Sequence, residues 1–274
     1  MPASPLATDL PPLLRTARFG RTHRALGATG STNADALAWA TEGAPDGALV
    51  TAEHQTAGRG RHGRTWTDAP GLSLLASLLL RPTLPPDRLG LLPLAAGLAA
   101  ADAVESVTGL VPRLKWPNDV LLGGRKVGGL LLESRLGDGP ATVVLGLGLN
   151  VGQADFPPEL ADRATSLLLE TGRLAPRAPL LAAFLDRFER AHDALHRNGE
   201  ARLLATFEAR MVGLGETVRV AFPHTDRAPV EGVVHGLAPD GALRLGTPQG
   251  EARLHAGEIT VETPTDEGGG RTNG

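Results

Sequence analysis

The chain has 274 residues, with 27 basic and 30 acidic side chains and a formal net charge of −3. It contains no Cys, which excludes a disulfide scaffold, a Cys-ligated zinc site and a thiol nucleophile, and favours a reducing compartment. The small negative charge gives no sign of a generally basic nucleic-acid-binding surface. The length fits one large domain, with or without a small second one.

Neither the ends nor the apolar stretches predict a targeting or membrane segment. The first ten residues contain no Lys or Arg and no apolar run of signal-peptide length. The stretch 89–104 is interrupted by Pro93, Gly97 and Asp102, and is predicted to be too short to span a bilayer. We therefore expect a cytoplasmic protein without a membrane partner, with a flexible N-terminus at 1–12 and a disordered Gly-rich tail at 263–274.

Helix and strand patterns are mixed over the first 211 residues. Helices are predicted at 32–42, 91–107, 179–197 and 200–211. Strands are predicted at 48–55, 72–80 and 142–151, with a hairpin over 113–134 that turns at Gly123-Gly124. This mixture predicts an α+β domain with a mixed sheet over residues 13–211.

The pattern changes after Met211 to short, closely spaced strands. These are predicted at 217–222, 230–237, 242–245 and 251–254, and the turns between them contain Pro-Asp-Gly at 239–241 and Pro-Gln-Gly at 248–250. Such spacing predicts a small β-barrel over residues 212–262.

The densest group of charged residues is the segment 57–66, which reads Ala-Gly-Arg-Gly-Arg-His-Gly-Arg-Thr-Trp and is called the Arg-Gly loop below. Its glycines formally match GxGxxG, but a strand and not a helix follows, so we reject a dinucleotide-binding motif. Guanidinium groups pair with phosphate or carboxylate, and glycines let the backbone close over a ligand. We interpret the loop as an anion cradle; the alternative is a solvated basic loop.

Both Lys of the chain lie in the predicted hairpin, Lys115 in Lys-Trp-Pro-Asn-Asp and Lys126 just before Gly128-Gly129. An unpaired buried ammonium is costly, so a Lys in an apolar hairpin needs an anionic partner. Asp119 or a ligand anion can serve, and the glycines allow a ligand to lie close to the backbone. The alternative for Asn118 and Asp119 is a simple Asx turn.

Two further segments carry polar residues at the ends of predicted elements. Gly-Leu-Gly-Leu-Asn at 146–150 ends an apolar strand with Asn150, which offers both a donor and an acceptor, although a sharp turn is the alternative. Ser31, Thr32 and Asn33 are good helix caps, and a helix N-terminus is also a place to receive polar ligand atoms.

Together these segments resemble the biotin protein ligases, also called biotin–[acetyl-CoA-carboxylase] ligases. The matching stretches, in chain order, are STN at 31–33, GRGRHGR at 58–64 with Trp66, KWPND at 115–119, RKVGGLLLE at 125–133 and GLGLN at 146–150. The resemblance covers roughly residues 20–210, and the combination of the Arg-Gly loop with KWPND is specific to the family.

The resemblance implies a catalytic domain related to class II aminoacyl-tRNA synthetases, followed by an SH3-like barrel. It also implies a two-step reaction, in which biotin and ATP give biotinyl-5′-AMP and pyrophosphate. A Lys of a biotin carboxyl carrier domain then takes the biotin and releases AMP. Mg²⁺ would arrive with ATP, so no metal site made of protein ligands alone is expected.

The resemblance further assigns roles to single residues. Those implied for biotin are Ser31, Thr32, Asn33, Gln55, Arg59, Gly60, Arg61, Lys126 and Gly128. Those implied for the nucleotide are Arg61, Arg64, Trp66, Asp119, Lys126 and Asn150. Arg61 and Lys126 are implied to be catalytic, because attack of one anion on another needs charge neutralised. Lys115 is expected to support the hairpin, and none of the eight His, including His54 and His62, is expected to be catalytic.

Expectations about partners follow from the same resemblance. Some family members carry an N-terminal helix-turn-helix domain, but the Pro-rich segment before Ser31 is too short for one, so no specific DNA binding is expected. Family members often form homodimers, although no stripe in this sequence marks an interface.

Two alternative functions stay open at this point. One is a lipoate- or octanoyl-transferring ligase, which shares the broad fold and an attacking carrier Lys. The other is a non-enzymatic module that senses biotin or a nucleotide, which would need an output domain that the sequence does not reveal.

Overall fold

A computed structural model describes residues 4–135, 141–223 and 225–261. The strands in these ranges are β1 (His23–Leu26), β2 (Leu49–Ala52), β3 (Ser73–Leu80), β4 (Arg113–Lys115), β5 (Asp119–Leu122), β6 (Arg125–Arg135), β7 (Thr142–Asn150), β8 (Thr217–Ala221), β9 (Val230–Leu237), β10 (Leu243–Thr247), β11 (Gly250–Leu254) and β12 (Glu258–Val261). The α-helices are α1 (Leu6–Asp9), α2 (Thr32–Thr41), α3 (Leu91–Thr108), α4 (Pro158–Ala161), α5 (Leu167–Thr171), α6 (Arg177–Leu195) and α7 (Glu200–Arg210).

The first seven strands form one mixed sheet in the order β1-β2-β3-β7-β6-β5-β4. The pair β1 and β2 is parallel, and the remaining neighbours pair antiparallel. The two longest strands, β6 and β7, therefore lie at the centre, where the RKVGG and GLGLN segments face each other. The register places Gly129 opposite Gly148 and Leu131 opposite Gly146.

Alternation of side chains along the strands gives this sheet two different faces. On β7, Leu145, Leu147 and Leu149 point into the main core, which includes residues of α3 and α6. Val144 points the other way and packs with Ala36 of α2 in a smaller cluster. Helix α2 packs mainly on β2, β3 and β7, and a cavity lies over the rest of this second face.

Helix α3 is apolar on nearly all sides because it lies inside the core. It packs against α6 and against β4, β5 and β6, and it ends at Gly109, which adopts the left-handed conformation typical of a helix C-terminus. The prediction that this stretch is too short to span a bilayer was wrong about its length. With the preceding turn, the helix Pro86–Thr108 has 23 residues and is long and apolar enough by composition, but 67% of its most apolar window is buried inside the molecule.

The last five strands form a separate antiparallel sheet in the order β11-β10-β9-β8-β12. Its inward-facing residues, among them Val218, Val220 and Ile259, are continuous with the main core. Several polar contacts join it to the rest of the chain, two of them away from the Arg-Gly loop. The indole N–H of Trp116 donates to the carbonyl oxygen of Gly241 at 3.0 Å, and the Glu208 carboxylate accepts from the backbone N–H of Leu237 at 2.6 Å.

Most predicted elements lie within a few residues of the observed ones, and the hairpin over 113–134 is confirmed as β4, β5 and β6. The expectation of a flexible segment at 1–12 does not fit the residues described from Ser4 onward, because Leu6 and Leu10 are buried in the main core. The predicted tail at 263–274 lies outside the described residues. Strands β1 and β12 were not predicted, because each is only four residues long and neither has a clear alternating pattern.

One histidine at the edge of the main sheet makes stability depend on pH. Burial lowers the pKa of His23 to about 4, and its Nε2 lies 2.8 Å from the hydroxyl of Thr51. Between pH 6.5 and 4 the unfolded chain therefore binds a proton that the folded chain does not, so stability is lost as the pH falls through this window. We expect unfolding of the wild type to take up as much as about one proton here, as measured by urea denaturation at stepped pH. His23→Asn should flatten the profile, and an equally steep profile in the variant would contradict this account.

Candidate active site

A cavity of about 1120 Å³ lies on the free part of the second sheet face. The Arg-Gly loop, the segment 153–164 that follows β7, and β12 of the C-terminal sheet form its other walls. The structure brings together here nearly all of the residues predicted for the site: Ser31, Thr32, Asn33, Gln55, Arg59, Gly60, Arg61, Arg64, Trp66, Asp119, Lys126 and Asn150.

One end of the cavity has a buried polar floor at the start of α2. The backbone N–H and the hydroxyl of Thr32 both donate to Oε1 of Gln55, at 2.8 and 2.9 Å. Ser77 of β3, which was not predicted, lies 2.7 Å from the Thr32 hydroxyl and donates to Oδ1 of Asn33 at 2.5 Å. These contacts fix the orientation of four polar side chains before any ligand binds.

Ser31 occupies the N-cap position of α2, but its side chain makes no capping hydrogen bond. Ser31 therefore does not cap α2 with its side chain, which was the simple role considered from the sequence. Its side chain is buried and lines the cavity, at the end of a helix where backbone N–H groups favour polar or negatively charged atoms.

The glycines of β6 and β7 let other groups lie directly on the sheet. A Cβ added to Gly146 would lie 2.4 Å from Oδ1 of Asn33, and one added to Gly148 would lie 2.7 Å from the ring of Trp66. In GLGLN the leucines thus fill the core while the glycines give the opposite face room for the site. The sharp turn considered from the sequence is absent, since all five residues belong to β7.

Gly128, predicted to contact biotin, is not among the residues that line the cavity, whereas its neighbour Gly129 is. Side chains alternate along a strand, so adjacent residues face opposite ways. A Cβ on Gly128 would meet the carbonyl oxygen and side chain of the neighbouring strand β7, at Gly148 and Leu149. A Cβ on Gly129 would lie 3.1 Å from Nζ of Lys126, so this glycine gives the ammonium its space.

Lys126 and Asp119 form an ion pair in the middle of the cavity wall, with Nζ 2.6 Å from Oδ1. Both side chains are partly buried, with 36% and 23% of their surfaces exposed. The backbone of Lys126 is held by the segment after α4, since it donates to the carbonyl of Arg163 and accepts from the N–H of Thr165. The predicted partner Asp119 is thus in place, and Nζ also lies 5.9 Å from the ring centroid of Trp66.

Each of the three loop arginines contacts a different part of the molecule. Arg59 pairs with Glu133 at the end of β6, with 2.9 Å between Nη1 and Oε1. Arg64 pairs with Glu258 of β12. The third, Arg61, donates to two neutral oxygens.

Arg61 Nη1 lies 3.1 Å from Oδ1 of Asn118 and 3.4 Å from the carbonyl oxygen of Gly257. Burial lowers the pKa of the Arg61 guanidinium, while the nearby Asp119 carboxylate raises it; an arginine nevertheless stays protonated in proteins. Asn118 also donates to the carbonyl of Leu130, so it connects the KWPND turn to the loop and does not form a simple Asx turn.

Lys115 of β4 also lines the cavity, with β5 between it and Lys126 of β6. Burial lowers the pKa of its ammonium, and the nearby positive charges of Lys126 and two arginines lower it further, against the opposing effect of Asp119. Lys115 therefore contributes to the positive potential of the cavity as well as to the hairpin.

Two predicted nucleotide residues carry polar atoms at the far end of the cavity. Asn150 is buried, donates from Nδ2 to the carbonyl of Thr165 at 3.0 Å, and accepts from Gln153 at 3.3 Å. The indole Nε1 of Trp66 is buried and has no hydrogen-bond partner among the described residues. It is therefore a donor available to a bound molecule.

Several wall residues were missed in the sequence. Phe156, Pro157 and Leu160 form an apolar patch beside Asn150, and Gly257 and Glu258 bring in the C-terminal sheet. The Phe-Pro-Pro stretch between two polar segments was the available signal for the first group. Nothing local marks Gly257 or Glu258, because they reach the cavity only through the arrangement of the two sheets.

The cavity combines a polar floor, a glycine-lined centre and a group of cations around one ion pair. Six cationic side chains line it: Arg59, Arg61, Arg64, Lys115, Lys126 and Arg163. Such a site can hold a ligand with a neutral polar head, an apolar middle and an anionic end next to phosphate. The described residues contain no group of three or more His, Asp or Glu that could hold a metal ion without help from a ligand.

Comparisons with known proteins agree on one family. Residues 28–150 match the model of the Biotin/lipoate A/B protein ligase family. The chain is 40% identical over 236 residues to a biotin–[acetyl-CoA-carboxylase] ligase of Mycobacterium tuberculosis, which covers 84% of this chain and 85% of that protein. It is 37% identical over 241 residues to the Paracoccus denitrificans ligase of the same name, covering 85% and 98%.

A solved structure shares the fold over most of the chain. The biotin protein ligase of Aquifex aeolicus, determined in complex with biotin and ATP, superposes with a TM-score of 0.77 at 30% sequence identity. The match covers 88% of this chain and 99% of that one.

The close contact between Gly146 and Asn33 gives a direct test of the cavity floor. Gly146→Ala places a methyl group against an amide that is hydrogen-bonded on both sides, to Ser77 and to Glu133. We expect a loss of about 1–3 kcal/mol in the free energy of unfolding from overpacking, more than the about 0.4–1 kcal/mol gained from chain entropy. Urea denaturation measures the difference.

Gly30→Ala is the matched control, because nothing lies within 4 Å of the added Cβ. It should change the free energy of unfolding by no more than about 0.5 kcal/mol. Equal stability of the two variants would show that the glycine is not needed for Asn33 to lie on the sheet.

Proposed function

The chain belongs to the biotin protein ligase family, and we propose how the residues of its cavity carry out the family's reaction. It is an ATP-dependent biotin–[acetyl-CoA-carboxylase] ligase, which joins biotin to AMP and passes the biotin to a carboxylase biotin carrier. The observation that carries the proposal is the Lys126–Asp119 ion pair, which lies between the polar floor and the residues predicted for the nucleotide.

We place the ureido head group of biotin on the polar floor. The hydrogen bonds of Thr32, Gln55, Ser77 and Asn33 hold donors and acceptors in fixed positions, as a small polar ring requires. The glycine-lined centre beside it accepts the apolar ring and chain. In this placement the biotin carboxylate reaches the cations at the middle of the cavity.

In the first step, a carboxylate oxygen of biotin attacks the α-phosphorus of ATP. The bond between this phosphorus and the β-phosphate oxygen breaks, and pyrophosphate leaves. Both reactants are anions, so the step needs positive charge at the forming bond. Lys126 and Arg61 supply it in our proposal, since Lys126 is already held by Asp119, and Arg61 has only neutral partners and keeps its charge for the ligand.

The adenosine part fits the other end of the cavity. Trp66 and the apolar patch of Phe156, Pro157 and Leu160 offer surfaces for the base, and Asn150 offers a donor and an acceptor. Arg64 lies where it can exchange Glu258 for a phosphate oxygen. Mg²⁺ would enter bound to the phosphates of ATP, which suits a cavity whose described residues form no metal cluster of their own.

In the second step, the neutral amine of a carrier Lys attacks the acyl carbon of biotinyl-5′-AMP. An amide forms, the acyl–phosphate bond breaks, AMP leaves, and the amine loses one proton to solvent. The mixed anhydride must be kept from water until the carrier arrives. We assign this protection to the Arg-Gly loop. Its base is closed by a hydrogen bond from the backbone N–H of Trp66 to the Gly58 carbonyl.

Finer features of the fold belong to the same proposal. We propose that the five-stranded C-terminal sheet is an SH3-like barrel spanning 212–262, and that the domain at 13–211 is related to class II aminoacyl-tRNA synthetases. The closely spaced antiparallel strands support the first, and the shared adenylate chemistry supports the second. A cytoplasmic location and a biotin carboxyl carrier domain as the acceptor fit the reaction.

The activity is tested by incubating the protein with ATP, biotin and a biotin carboxyl carrier domain, and measuring the carrier mass. We expect an increase equal to one biotin, dependent on ATP, with pyrophosphate and AMP released in equal amounts. Transfer of lipoate in place of biotin would support the lipoate ligase instead. Tight binding of biotin without turnover would support the non-enzymatic module.

The role of Lys126 is tested by Lys126→Ala in single-turnover formation of biotinyl-5′-AMP. Because the ammonium neutralises charge at the reacting atoms, we expect the rate to fall by about 10²–10³-fold. Arg125→Ala is the matched control, since Arg125 pairs with Glu170 outside the cavity and should leave the rate within a few-fold. A rate for Lys126→Ala within a few-fold of the wild type would show that Lys126 is structural.

A further inference from the structure

Glu133, at the end of β6, binds two parts of the site with its two carboxylate oxygens. Oε2 accepts from Nδ2 of Asn33 at 2.7 Å, and Oε1 lies 2.9 Å from Nη1 of Arg59. About a quarter of the side chain is exposed (26%), so the pair is only partly screened by water. No step of the reaction as proposed above uses this residue.

The two partners belong to different elements that line the cavity. Asn33 lies at the start of α2, on the floor, where Gly146 leaves room for its amide. Arg59 lies in the Arg-Gly loop and pairs across it with Thr65. Glu133 belongs to a central strand of the main sheet, so it connects the floor and the loop through the most rigid part of the site.

The charges of the loop arginines separate their roles. Arg61 donates to neutral oxygens of Asn118 and Gly257, so its positive charge is left for an anionic ligand. The charge of Arg59 is already balanced by Glu133. The ion pair with Glu133 therefore fixes Arg59, and with it this part of the loop, in position.

We propose that Glu133 is a positioning residue of the ligase, which holds the Arg-Gly loop in register with the biotin floor. The proposal rests on the function proposed above and goes beyond it, since it assigns a role to a residue that no step of the reaction uses. Asn33 holds one carboxylate oxygen of Glu133, so the other is directed at Arg59 and keeps the loop closed over the intermediate. Removing the carboxylate should loosen retention of biotinyl-5′-AMP without slowing its formation.

Glu133→Gln separates the two contacts. The amide oxygen of Gln can still accept from Asn33, but the ion pair with Arg59 is lost. We expect release of biotinyl-5′-AMP, measured from the isolated complex, to be about fivefold faster than in the wild type. The single-turnover rate of its formation at saturating biotin and ATP should stay within about threefold, which a general structural defect would not allow.

Arg59→Gln gives an independent test, because this side chain lies on the loop with 42% of its surface exposed and the change does not touch the core. It should speed release as much as Glu133→Gln, and the double variant should be no faster than either single one. Glu251→Gln is the control, since it breaks an ion pair with Arg244 in the C-terminal sheet, away from the cavity, and should leave release unchanged.

The outcomes separate this proposal from the function itself. A wild-type protein that makes no biotinyl-5′-AMP would overturn the proposed function. A wild type that makes it, with release from Glu133→Gln or Arg59→Gln within a factor of about 1.5 of the wild type, would overturn the role of Glu133 alone. Additive effects in the double variant would equally show that the two residues act separately.

Discussion

A cavity that binds anions holds several cations close together before any anion arrives. The mutual repulsion of these cations limits how the residues of the site can be arranged. Coulomb repulsion between unit charges a few ångströms apart reaches several kcal/mol in a partly buried site. Three of the cations are paired with carboxylates that come from separate elements of the fold. Lys126 has Asp119, Arg59 has Glu133 and Arg64 has Glu258, and these partners come from β5, β6 and β12. Arg61 instead donates to the neutral oxygens of Asn118 and Gly257.

These pairings explain why the cavity needs so many different elements around it. Glu258 of β12, Asp119 of β5 and Glu133 of β6 each hold one cation. Bringing them close requires a flat floor, and the glycines at 129, 146 and 148 provide it by leaving out the Cβ atoms that would collide with Lys126, Asn33 and Trp66. The same strands stay firm because Leu147 and Leu149 face the core.

The local parts of this design could be predicted from the sequence, and the parts made by distant contacts could not. The hairpin and the long helices followed from turn residues and apolar periodicity, and Asp119 was predicted as the partner of Lys126 because the two are close in the same hairpin. Ser77, Glu133 and Glu258 were missed as site residues. Each reaches the site from an element far away in the chain, and nothing in its neighbouring residues shows which way its side chain points.

Which of Gly128 and Gly129 faces the cavity could not be predicted either, because this also depends on contacts between strands. The sequence shows two adjacent glycines but not which of them faces the cavity, because that depends on the strand register, which shifts between Val120 and Leu121 on the partner strand. Similarly, the end residues of the helices could be predicted, but the free side chain of Ser31 at the start of α2 could not.

The central claim is that Lys126 and Arg61 neutralise the reacting anions between the biotin floor and the adenylate end. A crystal structure of the protein with a non-hydrolysable analogue of biotinyl-5′-AMP tests it most directly. We predict that the acyl-phosphate oxygens lie within about 3 Å of Lys126 Nζ and of the Arg61 guanidinium, with the ureido ring on Thr32 and Gln55. A bound analogue whose phosphate contacts neither cation, with Lys126 still bonded to Asp119 alone, would contradict it.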